Sequence, residues 1–595
     1  MPINRYRGPT RKLVLAIDVG TTYSGMAYAL LDPGEVPMPY VLHRYPGQEH
    51  AASDAKVPSV MYYHPDGSVH SVGAETKRPG IAFEVRKKNL IFVEWFKIHL
   101  NPENMDRDAI MEKLPDVAKL PPNKTVVEVL GHFLSYLFSC ARRFICETHG
   151  SGDTLWQSVE HQMDFVLSHP NGWGGLQQGK MRQAAVLGGL VPDTAAGHDR
   201  VHFVTEGEAS LHFCIQSGLT TETLRDRKSV TIVDTGGGTV DISSYRFLSV
   251  SPTKIEEITA PDCLVQGSIL VNVRATDHLK RILRNSPYGV EDEIQSMINY
   301  FDASTKPVFK DSKEASYIQF ASVRANDPSV NIFCGQLMLS GEVMASFYQP
   351  CIDAIVDTVK VQRKGSKPYI STVFLVGGFA SSPWLYSSLK LNLNKLGMTI
   401  YRPDTHTNKA VANGAVYFFL EHYVSARVMK MTYGTDINVT YEADNPEHKA
   451  RSHLKIVRPS GRVALNDAFS TIIQKGTLVH ENQEVSEEYF IETRDPGTLN
   501  SITADVMVYK GTTTIAPRWI DGCPELFTTL CTVSADTSQV PRRAIVRSTG
   551  TYYEQFFKLV LRCGLTEMKA QLSWMEKGVE RRGPATIVYE PAVSR

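Results

Sequence analysis

The chain has 595 residues, a length that predicts two or three domains rather than one core. Its 63 basic and 63 acidic residues balance, which argues against nucleic-acid binding, and the lack of an eighteen-residue apolar run argues against a membrane span. Nine cysteines without a CxxC pair favour reduced thiols, and so a cytoplasmic or nuclear protein, over disulfides or a zinc site.

The first predicted element follows a basic, polar segment, residues 1–11, for which we expect a disordered tail. "KLVLAIDVGTTYSGMAYALL", residues 12–31, predicts two strands joined by a small-residue turn that starts at Gly20, with Asp18 ending the first strand. A carboxylate at the end of an apolar strand is expensive to bury without a cation.

Two further segments precede the next glycine-rich turn. "TVVEVLGHFLSYLF" predicts a core helix that begins with a capping box formed by Thr125 and Glu128. "GGLQQGKM", Gly174 to Met181, has the G-x4-G-K spacing of a phosphate-binding loop, but Met181 stands where a magnesium-binding Ser or Thr is required. We therefore exclude such a loop there.

The strand–turn–strand pattern then repeats in "VTIVDTGGGTVDISSYRF", residues 230–247. Aligning Asp234 with Asp18 places the glycine-rich turn 236–239 on the turn 20–23, which predicts a duplicated α/β unit. The backbone amides of both turns could hold a polyphosphate while the two aspartates hold a hydrated magnesium ion. Two hairpins that are similar by chance are the alternative.

A third glycine turn joins a buried strand, residues 373–376, to a helix. Ser382 suits the N-cap of this helix and Pro383 suits its first position. Gly377 and Gly378 would let a nucleoside lie against the backbone, although a plain strand–helix connection is the better explanation of this turn taken alone.

These three motifs resemble the actin, hexokinase and heat-shock protein 70 superfamily of ATPases. "AIDVGTTYS" and "VDTGGGTVDIS" look like its two phosphate motifs, and "VFLVGGFASSP" looks like its adenosine motif. "FVEWFKIHL" is similar to a divergent branch that includes heat-shock protein 70 family A member 12 and its fungal relatives. The resemblance implies a duplicated, two-lobed, actin-like α/β ATPase domain over residues 12–422.

The resemblance also implies the roles of individual residues. Asp18 and Asp234 would hold magnesium through its waters, and either Asp241 or Glu206 would orient the attacking water. The nucleotide contacts implied are Gly20, Thr21, Thr22, Tyr23, Gly236, Gly237, Gly238, Gly267, Gly377 and Gly378, and the catalytic residues are Lys97, Glu206, Thr239 and Asp241.

The residues leave some of these roles open. Lys97 could instead be a surface lysine, and Glu206 could be a buried salt-bridge partner. Ser381 stands where the family has an arginine that stacks on adenine. Loss of this cation could weaken adenine binding by roughly 1–2 kcal/mol.

After residue 422 the pattern changes to short β-rich runs broken by Gly, Pro and Asp. Residues 423–595 predict an all-β, sandwich-like domain without room for a helical lid. It could bind an extended peptide along a strand edge, or it could dock on the ATPase or on one fixed partner.

The functional hypothesis is an ATP-binding, slowly hydrolysing, magnesium-dependent chaperone-like protein of the heat-shock protein 70 type. Its expected partners are ATP or ADP, unfolded or extended polypeptide clients and co-chaperones. One alternative is a scaffold that senses nucleotide with negligible hydrolysis. A small-molecule kinase of the same superfamily ranks last, because "SHPNGW", residues 168–173, offers no carboxylate as a base.

Overall fold

The computed structural model describes residues 3–48, 56–101, 119–217, 228–250, 252–366, 370–403, 409–564 and 567–588. The chain divides into two compact units. Unit 1 comprises Met1–Gly172 and Lys180–Val424, and unit 2 comprises Trp173–Gly179 and Ser425–Arg595. The boundary expected from the sequence, between residues 422 and 423, lies two residues from the end of unit 1.

The strands before residue 424 are, in chain order, β1 (Lys12–Asp18), β2 (Tyr23–Leu31), β3 (Pro39–Val41), β4 (Val57–Pro58), β5 (Val60–Tyr63), β6 (Val69–Val72), β7 (Ile91–Glu94), β8 (Met163–His169), β9 (Val201–Thr205), β10 (Ser229–Thr235), β11 (Val240–Val250), β12 (Thr253–Glu257), β13 (Asp262–Leu264), β14 (Ser316–Gln319), β15 (Ile332–Phe333), β16 (Gln336–Leu339), β17 (Thr372–Val376) and β18 (Thr399–Tyr401). The α-helices are α1 (Ile81–Lys88), α2 (Val126–Thr148), α3 (Gly152–Val159), α4 (Gly175–Leu187), α5 (Ala195–His198), α6 (Glu206–Gln216), α7 (Ile269–Ile282), α8 (Glu291–Tyr300), α9 (Lys306–Val308), α10 (Gly341–Gly365), α11 (Pro383–Lys395) and α12 (Ala410–Glu421).

Unit 1 contains two sheets with the same arrangement of strands. In the first sheet the order is β3-β2-β1-β8-β9, and in the second it includes β12-β11-β10-β17-β18. In each, a central antiparallel pair (β1 with β2, β10 with β11) is continued by two parallel strands. We call these sheets and the helices that follow their strands the first and second lobes. The repeated order supports the duplication inferred from the sequence.

The register of the two central hairpins differs in one chemically important position. Asp18 lies opposite Gly25 in the first lobe, whereas Asp234 lies opposite Asp241 in the second. Like charges directly opposite each other on antiparallel strands destabilise a sheet. Only the second hairpin therefore carries this cost.

The two helix starts predicted from the sequence are confirmed. The Thr125 side chain accepts from the Glu128 backbone and the Glu128 side chain accepts from the Thr125 backbone, which completes the capping box of α2. Ser382 caps α11 by accepting from the backbone N–H of Leu385, with Pro383 in the first turn. The excluded G-x4-G-K segment lies in α4, a helix rather than a phosphate-binding loop.

The segment predicted to be a disordered tail makes specific contacts where the structure describes it. The backbone N–H and the Nδ2 of Asn4 donate to the two carboxylate oxygens of Glu421, at 2.8 and 3.0 Å. Tyr6 exchanges backbone hydrogen bonds with Gly34 and Glu35. The prediction overlooked these bonds because the segment has no periodic apolar pattern that would indicate packing.

Unit 2 is β-rich, as the sequence predicts. Its elements are β19 (Val424–Val428), β20 (Thr432–Thr440), α13 (Pro446–Ala450), β21 (Lys455–Val457), β22 (Val463–Ile473), β23 (Leu478–His480), β24 (Glu484–Thr493), β25 (Ser501–Tyr509), β26 (Phe527–Asp536), β27 (Ala544–Arg547), β28 (Gly550–Cys563), β29 (Met568–Glu576), β30 (Val579–Arg582) and β31 (Thr586–Ile587).

Two antiparallel sheets form most of unit 2. One has the order β21-β22-β20-β25-β26. The other has the order β24-β28-β29-β30, and in it β27 also pairs with β28 and β31 also pairs with β29. Strands of both sheets contribute to one buried apolar cluster, for example Val506 of β25 and Leu559 of β28. A shared core of this kind agrees with the predicted all-β domain, while its classification as a sandwich stays a prediction.

No helix in the described part of the chain is long and apolar enough to cross a membrane.

The packing of α12 on α6 gives the first testable prediction. A Cβ at Gly414 of α12 would lie 1.8 Å from the carbonyl oxygen of Ala209 on α6, so this position excludes any side chain. We expect Gly414→Ala to lower the stability of unit 1 by about 1–3 kcal/mol through overpacking, as measured by thermal unfolding. Gly150→Ala is the matched control, because no atom lies within 4 Å of a Cβ there. Equal unfolding midpoints for the two variants would contradict the packing.

Candidate functional site

Asp18 lies at the carboxyl end of β1, where it is only 3% exposed. Lys56 Nζ donates to its Oδ2 at 2.8 Å, and Ser168 Oγ donates to its Oδ1 at 3.0 Å. Burial alone would raise the pKa of Asp18, but the charges of Lys56 and Lys97 outweigh it and hold the pKa below its ordinary value. Asp18 is therefore ionised and paired with a lysine.

Lys97 is also buried and forms an ion pair. It lies in the 3-10 helix Phe96–Leu100, and its Nζ donates to Oε1 of Glu206 at 2.7 Å. Burial opposes the charge of Lys97, yet the carboxylates of Glu206 and Asp18 raise its pKa above the ordinary value. The surface-lysine alternative is wrong, whereas Glu206, the first residue of α6, is indeed a buried salt-bridge partner.

Asp234 and Asp241 face each other across β10 and β11, and both are buried. Burial, followed by the charge of Glu206, raises the pKa of Asp234 to about 7. The same two causes raise the pKa of Asp241 well above its ordinary value. Ser210, one helical turn after Glu206 on α6, donates to Asp234 Oδ2.

The two oxygens of Asp241 have different surroundings. Oδ1 accepts the backbone N–H of Asn171 at 2.5 Å. Oδ2 is buried and has no hydrogen-bond partner among the described residues. An unsatisfied carboxylate oxygen in this position is costly for the protein alone, which indicates a place for a ligand or a water molecule.

The glycines of the second turn allow close contact with the first turn. A Cβ at Gly237 would lie 2.3 Å from Thr22 Oγ1, and a Cβ at Gly238 would lie 2.5 Å from Thr21 Oγ1. Gly267 packs on the same turn from the other side, and its N–H donates to the carbonyl of Gly238. The two turns thus meet face to face, a contact that neither sequence segment reveals by itself.

The third turn approaches the same cluster. Gly377 has a φ of 91°, and a Cβ there would lie 2.4 Å from Asp234 Oδ1. Gly378 is exposed, and no atom lies within 4 Å of the position of its absent Cβ. Ser381 Oγ donates to the Gly378 carbonyl. Nearby, Arg402 donates to the carbonyl of Ala380, so a guanidinium does reach this motif from another part of the chain.

Apolar packing brings the Lys97 segment of the first lobe onto the Gly267 segment of the second. Ile98 and Ile269 are buried together, with Trp95, Val265 and Leu270 partly buried around them. Lys97 directly precedes Ile98, and Gly267 lies two residues before Ile269, so each segment carries a site residue beside its apolar contact. This packing joins the two lobes next to two of the site residues.

The structure thus assembles most of the predicted site residues. Carboxylates and lysine converge, with Asp18, Lys97, Glu206, Asp234 and Asp241 each influencing the pKa of others in the set. Thr239, buried at the end of the second turn, also acts on Asp241. The remaining ones line the turns: Gly20, Thr21, Thr22, Gly236, Gly237, Gly238, Gly267 and Gly377. The side chain of Tyr23 is 47% exposed, and no described atom lies within 4 Å of the Cβ position of Gly378.

The sequence analysis missed four polar residues of the site: Lys56, Ser168, Asn171 and Ser210. Ser210 could have been found, because it lies four residues after Glu206 on one helical face. Lys56 belongs to no motif, and Asn171 lies in the segment 168–173, where we looked only for a carboxylate; the folded chain places them beside Asp18 and Asp241.

Among the residues that the structure describes, no three His, Cys, Asp or Glu side chains converge closely enough to bind a metal ion. The acid cluster nevertheless holds four buried carboxyl groups against two lysines, an excess that either protonation or a bound cation can offset. A hydrated magnesium ion, held through its waters, fits this arrangement better than a dehydrated one.

The two lobes have the same strand order, and each brings a strand–turn–strand hairpin to the shared acid cluster. These features define the class of protein by its fold. The mixed α/β sheets with their helices fit the actin-like ATPase fold.

No protein-family model matches the chain. Curated proteins similar to it are human heat shock 70 kDa protein 12A, at 22% identity over 80% of this chain and 79% of the relative, and its mouse counterpart with the same values. Human heat shock 70 kDa protein 12B is also 22% identical, over 80% of this chain and 78% of its own length. The chain is therefore a divergent relative of the heat-shock protein 70 family, of the kind represented by family A member 12.

The raised pKa of Asp234 predicts a pH dependence. The folded state binds a proton that the unfolded state releases at about pH 3.8, and keeps it up to about pH 7, so stability falls as the pH rises through this window. Asp18 has the opposite sign, because its lowered pKa contributes stability above its ordinary pKa. At pH 8, without nucleotide or divalent cation, we expect Asp234→Asn to raise the unfolding temperature of unit 1 and Asp18→Asn to lower it. Shifts of the same sign would contradict this electrostatic description.

The Lys97–Glu206 pair gives a second prediction for this site. Lys97→Met leaves Glu206 buried without its partner, and we expect a loss of about 3–5 kcal/mol in thermal or denaturant unfolding. The double variant Lys97→Met/Glu206→Gln should recover most of this loss. Lys360→Met, at an exposed lysine that pairs with Asp357, is the control and should change stability little. A Lys97 variant as stable as this control would show that the buried pair does not form.

Proposed function

We propose that the chain binds ATP with magnesium and hydrolyses it slowly, as a chaperone-like protein of the heat-shock protein 70 type. The observation that carries the proposal is the meeting of two glycine-rich turns beside a buried acid cluster in which Asp241 Oδ2 has no hydrogen-bond partner among the described residues. Backbone amides of such turns bind phosphate oxygens, and the excess of carboxylates suits a hydrated cation.

The residues present fit a magnesium nucleotide. The turns 20–23 and 236–239 would hold the terminal phosphates, and Asp18 and Asp234 would hold magnesium through its waters. Bound magnesium would offset the negative charge that develops on the transferring phosphoryl group. Lys97 is ionised and buried, as a residue that stabilises such charge must be.

The surroundings of the two candidate bases favour Asp241 over Glu206. Glu206 is engaged by Lys97 at 2.7 Å, whereas Oδ2 of Asp241 is available to orient a water and accept its proton. We therefore assign water orientation to Asp241 and the positioning of Lys97 to Glu206.

Coupling to unit 2 is supported by the helices that follow the site. Helix α6 begins with Glu206 and packs closely on α12 through Gly414. Helix α12 ends at Glu421, three residues before the end of unit 1. A change at the site could reach the connection to unit 2 through this pair of helices, and unit 2 would then bind extended polypeptide clients.

A nucleotide-sensing scaffold without significant hydrolysis is the second candidate. It is favoured by Ser381, whose hydroxyl bonds to its own turn and supplies no cation to the adenosine motif. Arg402 brings a guanidinium to the neighbouring Ala380, but it also lies 4.7 Å from the ring centroid of Tyr386. The two candidates differ in turnover rather than in binding.

One experiment separates these functions. Thermal unfolding with and without Mg-ATP, together with phosphate release, is measured for wild type, Asp241→Asn and the control Asp357→Asn at an exposed surface carboxylate. We expect stabilisation of all three proteins, by about 2.7 kcal/mol at a hundred times the dissociation constant. Phosphate release should fall about 10²–10⁴-fold only in Asp241→Asn.

Three other outcomes of this experiment would change the proposal. Stabilisation without phosphate release from the wild type would support the scaffold. Release that is equal in wild type and Asp241→Asn would refute the assignment of Asp241. No stabilisation by Mg-ATP would refute nucleotide binding altogether.

A further inference from the structure

Asn171 lies in the segment after β8 of the first lobe, and it is completely buried. Its backbone N–H donates to Asp241 Oδ1. Its side-chain Nδ2 donates to Ser243 Oγ at 2.9 Å and to the carbonyl of Asp262 at 3.1 Å. All three acceptors belong to the second lobe, so this one residue ties the first lobe to the strand that carries Asp241.

The acceptors of Asn171 lie on two neighbouring strands of the second lobe. Asp241 and Ser243 are two positions apart on β11 and therefore point to the same face of the sheet. Asp262 begins β13, the neighbouring strand, where it lies opposite Ile242. Gln362 of α10 donates to the Asp262 carboxylate at 2.9 Å and to the carbonyl of Ile242 at 3.2 Å. The surface that accepts the hydrogen bonds of Asn171 is thus held by helix α10 as well as by β11 and β13.

The space around Asn171 is closed by the start of α6. A Cβ at Gly207 would lie 2.4 Å from Ser243 Oγ and 3.0 Å from Asn171 Oδ1. Gly207 directly follows Glu206, the partner of Lys97. Asn171 is therefore packed between the two segments that carry the candidate carboxylates of the site.

We propose that Asn171 is a positioning residue for Asp241. Its backbone N–H fixes Oδ1, its side-chain amide holds the segment against β11 and β13, and Oδ2 is thereby left as the oxygen that faces the reaction. This role rests on the proposed hydrolysis of ATP for its effect on turnover. The fixed geometry of Asp241 itself does not depend on nucleotide.

The activity test uses Asn171→Ala, which keeps the backbone N–H but removes both side-chain bonds. We expect the dissociation constant for Mg-ATP to stay within about threefold of wild type, and phosphate release at saturating ATP to fall about 10–100-fold. Ser243→Ala should have a smaller effect that is not additive with Asn171→Ala, because both remove the same bond. Thr231→Ala, at a buried hydroxyl that bonds Ser244 instead, is the control and should keep wild-type turnover.

A second measurement needs neither nucleotide nor turnover. Hydrogen exchange of the Asn171 amide should be slow in the wild type and in Thr231→Ala, and at least tenfold faster in Asp241→Ala, which lacks the acceptor. Rapid exchange in the wild type, or no change in Asp241→Ala, would overturn the proposal even if Asn171→Ala fails to fold. Normal turnover by a folded Asn171→Ala would also overturn it. Slow exchange that depends on Asp241 in a protein without phosphate release would show that the proposed hydrolysis has failed while the positioning role stands.

Discussion

Four carboxylates share one buried space with two lysines, and the rest of unit 1 is arranged around this imbalance of charge. Asp18 and Glu206 are each paired with a lysine, at 2.8 and 2.7 Å. Asp234 and Asp241 lie opposite each other without such a partner, and burial raises the pKa of both. Burying like charges is costly, and either protonation of Asp234 and Asp241 or a bound cation can offset this cost.

The duplication of the lobes explains how the acid cluster is built. The differences between the two lobes explain which side chains each lobe contributes to it. Asp18 is the last residue of β1 and Asp234 the last but one of β10, but Gly25 in the first lobe corresponds to Asp241 in the second. The first lobe supplies the lysines and the small hydroxyl residues of the turn, and the second supplies the additional carboxylate. The hydrogen bonds of Asn171 and the apolar contact of Ile98 with Ile269 hold the two halves together.

Much of the arrangement of strands, turns and helix starts could be predicted from the sequence, because it depends on local sequence patterns. Glycine turns after apolar strands, the capping box at Thr125 and the N-cap at Ser382 depend on residues that are close in sequence. The roles of Lys56 and Asn171 could not be found, because their partners lie 38 and 70 residues away along the chain. The glycines of the second turn were assigned to a ligand alone, whereas Gly237 and Gly238 also make room for Thr22 and Thr21.

The most direct test of the central claim is an experimental structure of the protein with ADP, magnesium and beryllium fluoride, which mimics the terminal phosphate. We expect the phosphate mimic between the turns 20–23 and 236–239, with magnesium held through its waters by Asp18 and Asp234 and a water within hydrogen-bond distance of Asp241 Oδ2. A nucleotide bound elsewhere, or an acid cluster that remains without ligand at saturating concentration, would contradict it.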